Sequence, residues 1–523
     1  MTRRKCIAEL RDKAESFKQT GRVKILDSEL AVVKSDHAIS EDLKRELIDA
    51  VKILEGVPAR VKDWHPGSDQ TVLDLVHPSL FPVVWGVTRA LKEGSVPLDD
   101  CVRFTGKGIP VDIYNPPVAQ NIRWAWPPLP NVHGSFQWLP AQVEVKERAA
   151  KITSYINNLH PVKHKPLYGI LSRIVTATFP LFEDVLSSFQ NNFRIDTDRT
   201  GYDDYKYPPG LYYQVPNRKG RKSRWDPTTR EYVDENCNKI EDGGQNEWDE
   251  DEEDMGSWQW GHEYQVWKEQ NRMLKWREPH EYTTQAEPSA VRLSDFPNGL
   301  QIIFKLANII LTPEKPKYLG GSWHVEGTLN EMICASAIYY YDQGNITDSF
   351  LSFRQAMNTS EVTTKPEQNH HHSLGSYLGV EQYGTAIQEL GRVLTREGRL
   401  LVFPNCLQHQ VQPFELSDKS QPGHRKILAM FLVDPNRPIL SSAVVPPQQK
   451  DWWADLIREE GGLALLHKDL YDSMMNSIDD FPLSWEQAVE YRAKLMEERS
   501  DGQKEFSEYM EGVRPPNLAN SDC

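Results

Sequence analysis

Between residues 299 and 445 the chain is a succession of short apolar runs bounded by turn-forming residues: LQIIFKLANIIL, MICASAIYYY, RLLVFP, LQHQV and RKILAMFLV. Their β-branched and aromatic content reads as strands. Several short strands at such intervals bury their apolar faces by closing into a sandwich or barrel. The flanks have a different period. EDLKRELIDAVKILEGV sets Leu43, Leu47, Ile48 and Val51 on one helical face, with Ser40 placed to cap it. TSYINNLH and GILSRIVTATF within residues 146–190, and WADLIREEGGLALL and WEQAVEYRAKLMEER after PPQQKDWW, are also helical in pattern. Residues 57–145, rich in Pro and Trp, read as irregular structure packed around aromatics, with a short helix near VTRALKEG. The expectation is an α+β protein with four regions. These are N-terminal helices over 1–56, a helical and Pro/Trp-rich region over 57–280, a β core over 281–450 and C-terminal helices over 451–523. No internal repeat is visible, which excludes a solenoid.

Charge sorts the remaining possibilities. Sixty basic against 75 acidic residues leave a net charge of −15, the wrong balance for a general nucleic-acid binder. Residues 200–262 concentrate the extremes, with Arg218, Lys219, Arg221, Lys222 and Arg224 followed by an acidic run from Asp249 to Asp254. Such blocks read as a solvated insertion, with a substrate-covering lid or partner site as the alternative. No signal-like h-region and no uncharged apolar stretch of about 18 residues are present, so neither secretion nor a membrane span is expected. The cysteines at 6, 101, 237, 334, 406 and 523 show no C-x-x-C spacing, which points to a reducing compartment, cytosol or nucleus.

The sharpest chemical signal is Gly320-Gly-Ser-Trp-His324-Val-Glu326-Gly. In an extended chain residues i and i+2 share a face, so His-x-Glu offers an imidazole and a carboxylate to one metal. His409 lies in Leu407-Gln-His409-Gln-Val411, where alternation puts it on the apolar face, 85 residues after His324. Arg425 opens the next strand, 16 residues further on. Two histidines and one carboxylate leave metal positions open, which suits non-haem Fe(II) with a bidentate 2-oxo acid. Arg425 is then a forked donor for the far carboxylate of that acid, against a bland reading as a surface cation.

The motifs WHVEGTLNEMICASAIYYY, NITDSFLSFR, GRLLVFPNCLQHQVQPFEL and GHRKILAMFLVDP resemble a large fungal protein family whose C-terminal core is similar to 2-oxoglutarate/Fe(II) oxygenases. VLDLVHPSLFPVVWG and SYINNLHP extend the resemblance into the N-terminal half. It implies a double-stranded β-helix (jelly roll) core, with iron held by His324, Glu326 and His409 and 2-oxoglutarate held by Arg425. Glu in place of the commoner Asp at the second ligand is a departure shared with some jumonji-type members. Tyr318 and Asn308 precede the first ligand and are candidates for the co-substrate carboxylate, against core packing or strand-edge bonding. Asn330, Glu331 and Arg354 are candidates for the pocket mouth. His370–His372 reads as an exposed loop, His424 as facing away from His409, and His65 and His77 as structural. The reaction class so implied is oxidation, by default hydroxylation, of a small-molecule or protein substrate with release of succinate and CO2. A jumonji-like protein hydroxylase or demethylase and a non-catalytic cupin-like metal binder remain open, as does the oligomeric state.

Overall fold

The computed structural model describes residues 3–26, 30–112, 134–189, 291–356, 387–460, 463–478 and 481–512, with short pieces between 205 and 274 and between 379 and 385. The acidic run 249–254, most of the basic cluster before it and His370–His372 lie outside the described residues. The chain opens with α1 (Arg3–Thr20), the hairpin β1 (Arg22–Ile25) and β2 (Val32–Ser35), and α2 (Glu41–Glu55). Then come β3 (Asp63–Trp64), β4 (Val72–Val76), β5 (Ala141–Lys146), β6 (Ala149–Ile152) and α3 (Lys165–Leu186). The β-rich part holds β7 (Leu300–Leu311), β8 (Lys317–Tyr318), β9 (Ile333–Gly344), β10 (Phe350–Ala356) and β11 (Ile387–Leu394). It continues with β12 (Leu400–Pro404), β13 (Gln408–Val411), β14 (Phe414–Glu415) and β15 (Gly423–Val433). Helices α4 (Lys450–Glu460), α5 (Lys468–Asn476) and α6 (Trp485–Gly512) follow.

One antiparallel sheet runs β1-β2-β12-β9-β15-β7-β4-β3, with β5 pairing the start of β7 and β6 pairing β5. A second runs β11-β10-β13, and β8 pairs β14. Strand alternation decides what each face of the large sheet meets. On β15, Leu428, Met430 and Leu432 join a core shared with Leu43, Leu47 and Val51 of α2 and with α3. Ala429, Phe431 and Val433 face the other way, onto Leu351 and Phe353 of β10 and Leu407. The layers are therefore helices, large sheet, small sheet. Each fully buried Leu or Val on the α2 stripe contributes about 1.5–3 kcal/mol, and that burial keeps a helix of this length folded. Ser40 caps α2 as the sequence suggests, its side chain accepting from the Leu43 amide.

Several local expectations do not hold. The first 56 residues are not all helical, because Arg22–Ile25 and Val32–Ser35 pair in register and lengthen the large sheet at β12. VTRALKEG is not a helix, since Arg89–Ala90 pairs with Ile109–Pro110. TSYINNLH is a turn, leaving helix only from Lys165. Val72–Val76, inside the Pro/Trp-rich stretch, pairs with the middle of β7. In each case the backbone finds its partner far away in sequence, which local periodicity cannot register. Among the described residues no helix is long and apolar enough to cross a membrane.

Candidate metal centre

The segment carrying His324 forms no regular strand, yet its backbone is tied to β13. The His324 N–H donates to the His409 carbonyl at 3.1 Å and the His409 N–H returns to the His324 carbonyl at 2.9 Å. Two residues far apart in sequence thus become cross-strand partners, which sets their side chains together. Gly320 makes this approach feasible. It sits at φ +92°, and a Cβ there would lie 2.8 Å from the Val411 carbonyl oxygen. One residue later the Gly321 N–H donates to that oxygen at 2.9 Å. Asn405, in the turn before β13, holds the backbone of the third residue. It accepts from the Glu326 N–H at 2.9 Å and donates to the Glu326 carbonyl at 2.8 Å. Asn405→Ala is therefore expected to weaken divalent-metal binding by about tenfold to a hundredfold, as loss of an outer-shell support does. Competition with a chelator of known affinity measures it.

The Glu326 carboxylate lies between the two imidazoles, its Oε1 3.3 Å from His409 Nε2 and 3.8 Å from His324 Nε2. The ligand atoms of all three lie within 4.8 Å of one another. His409 is 2% exposed, packed against Phe403 and Phe353. Burial favours the neutral acid at Glu326, but the hydrogen bonds and charges of the two histidines win and hold it well below the carboxylate range. Burial also opposes charge on His324, where the Glu326 carboxylate beside it prevails and raises it. At His409 burial and the charge on His324 lower it. The tautomer of His324 follows from its other partner. Its Nδ1 lies 2.8 Å from the Ser322 carbonyl and must donate there, so Nε2 carries the lone pair a metal needs. Two neutral donors and an ionised carboxylate fit a divalent ion that keeps open positions.

A second His/Asp cluster passes the same distance test: His65, Asp74 and His77. Proton accounting separates it from the first. His65 Nδ1 lies 2.8 Å from Asp74 Oδ2, but His77 Nδ1 accepts from the Ser79 N–H at 3.2 Å. A neutral His77 then bears its proton on Nε2 and has no lone pair left for a metal. We read this cluster as a hydrogen-bonded network, in line with the structural role expected for His65 and His77. Burial favours protonation of Asp74, but His77 and His65 hold its carboxyl down to about 2.

Arg425 is deeply buried between the two sheets, 2% exposed. Its Nη1 donates to Ser349 Oγ at 3.0 Å and lies 3.4 Å from Thr395 Oγ1, its plane is flanked by Phe414 and Tyr340, and its Nε has no partner. No carboxylate pairs with it among the described residues. Burial pushes its pKa down against the pull of Tyr340 and Tyr318. Tyr318 therefore stands beside Arg425, its ring 5.2 Å from that of Phe414. Asn308 does not join them. It is on the other face of β7, donating to Glu55 of α2 at 2.7 Å, because strand parity pairs it with Lys426 and not with Arg425. His424 and Lys426 also face outward, onto Asp342. Arg354 donates to Gln408 at 2.7 Å and stacks 4.7 Å over Trp323.

Glu331 has a larger part than the pocket-mouth role considered for it. Its side chain is fully buried, accepts from the Thr328 and Trp138 amides and is paired with Arg499 of α6. A Cβ on Gly327, which has φ +69°, would strike this carboxylate at 2.4 Å. Arg499 in turn lies 3.7 Å over the Trp138 ring, and Gln503 donates to the Val325 carbonyl at 3.1 Å. Helix α6 thus covers the His-x-Glu segment, a placement that no local motif announced. A cavity of about 500 Å³, with Trp138, Trp323 and Lys305 in its wall, reaches His324 and Glu326. Another of about 570 Å³, lined by Met332, Cys406 and Phe506 among others, also reaches Glu326.

A family model described as a protein of unknown function (DUF4246) matches residues 2–456. No curated protein matches the chain. Among solved structures, the Fe(II)/α-ketoglutarate-dependent dioxygenase TqaL is 17% identical, with 31% of this chain and 53% of that one covered at a TM-score of 0.19. IDO from Bacillus thuringiensis is 14% identical, with 25% and 45% covered and a TM-score of 0.16. EvdO2 from Micromonospora carbonacea var. aurantiaca, complexed with 2-oxoglutarate, is 10% identical, with 25% and 52% covered and a TM-score of 0.13. The chain spans about half the length of these structures. At such scores the likeness carries no argument about activity.

Proposed function

Because the chain belongs to the DUF4246 family, described as proteins of unknown function, we propose its activity from the site itself: an Fe(II)- and 2-oxoglutarate-dependent oxygenase on a jelly-roll core. Strand order supports the core. Counting β13 and β14 as one interrupted strand, eight successive strands run from β7 to β15. The first pairs with the eighth, the eighth with the third and the third with the sixth, while the second, seventh, fourth and fifth are linked in the other layer. Strands that alternate between layers in this way wind as a double Greek key.

The observation that carries the reading is Arg425. A metal triad alone would suit a binding protein, but an ionised guanidinium enclosed without an acid is costly unless an anion enters beside it. Its free Nε and paired Nη edge offer the fork that a carboxylate takes. His324, Glu326 and His409 would hold the iron, Arg425 with Tyr318 beside it the far carboxylate of 2-oxoglutarate, and α6 would keep water out. Iron and 2-oxoglutarate bound there would supply oxidation of a substrate by O2, with succinate and CO2 as co-products. A chamber of about 500 Å³ walled by Trp138 and Trp323 favours a small molecule over a protein segment as substrate.

Anaerobic titration tests this. With Fe(II) loaded, 2-oxoglutarate should raise the weak visible charge-transfer band of a chelated 2-oxo acid. In Arg425→Lys a point charge replaces a fork, and the apparent Kd should rise about tenfold to a hundredfold while iron content stays level. Arg425→Met should abolish the band yet melt higher than wild type when ligand-free, since an unpaired buried cation has been removed. Iron bound without any band in wild type would defeat the oxygenase reading and favour a cupin-like binder.

A further inference from the structure

We propose that the substrate of this centre carries a small anionic group, a carboxylate or a phosphate, and that Lys305 receives it. The inference rests on the oxygenase reading for the word substrate, but its test does not use iron. Lys305 lies in the middle of β7, where Phe304 and Leu306 enter the core under the helices while Ile303 enters the core between the sheets. Alternation therefore sends Lys305 inward with Ile303, into the chamber that also reaches His324 and Glu326.

Every other charge on that wall is committed or in water. Arg499 is bound to Glu331, and Lys504 is exposed. Asp74 accepts from His65, and His77, His65 and Lys305 together hold it ionised against burial, yet Lys305 forms no ion pair with it. Glu326 lies between the two imidazoles. Among the described residues Lys305 has no ion pair or hydrogen bond of its own. An ammonium that reaches this cavity, with no carboxylate at ion-pair distance, recognises an anion that arrives from outside. Trp138, Trp323, Val325 and Met496 line the same cavity and suit an apolar body behind that anion.

Lys305 is not a second handle for the co-substrate. Arg425 stands opposite Ile309, four residues along β7, so the two cations enter about 13 Å apart at roughly 3.3 Å per residue. That spacing is too wide for one small acid to be shared, which gives one anion site to each of two molecules.

The probes are phenylacetate, phenyl phosphate and the neutral phenylacetamide, titrated calorimetrically into the metal-free full-length chain. At least one anion should bind about tenfold or more tightly than the amide, as expected for a charge-assisted contact. The ratio between the two anions tells carboxylate from phosphate. Lys305→Gln should bring that anion down to the affinity of the amide, and Lys305→Arg should retain it within about threefold, since the charge persists. The acid-against-amide comparison on wild type needs no variant, so a misfolded mutant cannot shield the proposal. Equal affinity for acid and amide, no anion binding to wild type, or unchanged binding by Lys305→Gln overturns it. Displacement of the anion by 2-oxoglutarate also overturns it, by giving Lys305 to the co-substrate. Because no metal is present, these outcomes leave the iron and charge-transfer tests to stand or fall separately.

Discussion

His409→Ala should lose stoichiometric Fe(II), with affinity falling by more than about a hundredfold, beyond what loss of an outer-shell support costs. His409 is the most buried of the three ligands and the nearer imidazole to Glu326, so its removal leaves a single histidine and one carboxylate. Two donors do not fix a divalent ion against water. Iron analysis of anaerobically loaded, desalted protein gives the number, and melting of the metal-free forms separates ligand loss from fold loss. A full equivalent of iron in His409→Ala would refute the assignment. His424 could not account for it, because it is on the outer face of the large sheet against Asp342. Among the described residues the His65–Asp74–His77 cluster would be the remaining source, and the proton argument against it would fail too.

The largest effect on stability is expected at Arg499, far from either strand ligand in sequence. Its partner Glu331 has no exposed side-chain surface, so Arg499→Ala strands a carboxylate in the interior and uncovers one face of Trp138. Removing one partner of such a buried pair costs about 3–5 kcal/mol. Thermal and denaturant unfolding should both register that loss. The paired replacement Glu331→Gln with Arg499→Met should recover part of it, because no charge is stranded and Gln keeps an acceptor for one of the two amides, that of Trp138. If Arg499→Ala melts like wild type, α6 is not held on the sandwich by this pair. Metal affinity offers a second readout, since Glu331 also fixes the Thr328 amide two residues beyond Glu326.

What could be read from the sequence was what depends on residue type and short spacing. His-x-Glu can serve one metal only in extended chain, and His409 follows the alternation of its strand. The backbone bridge between His324 and His409 brings the two histidines together, although the segment carrying His324 and Glu326 forms no regular strand. The capped α2 stripe and the long C-terminal helix were legible for the same reason, because a repeat of 3.6 residues is local. Asn308 shows where that reasoning stopped. Proximity in sequence to the first ligand suggested a co-substrate contact, yet one position of strand parity turned it toward α2, a fact fixed only by register against β15.

Tertiary structure alone decided the rest. That Asn405 clamps Glu326, that Glu331 and Arg499 join the ligand segment to a helix from the end of the chain, and that Lys305 faces the same chamber all depend on pairing between distant segments. The same holds for β1, β2 and β4, whose short runs become strands only because a neighbouring edge supplies the missing hydrogen bonds. Local sequence determines which groups can ligate. Long-range backbone pairing determines which of them meet, because strand register, unlike helical period, is set by the partner.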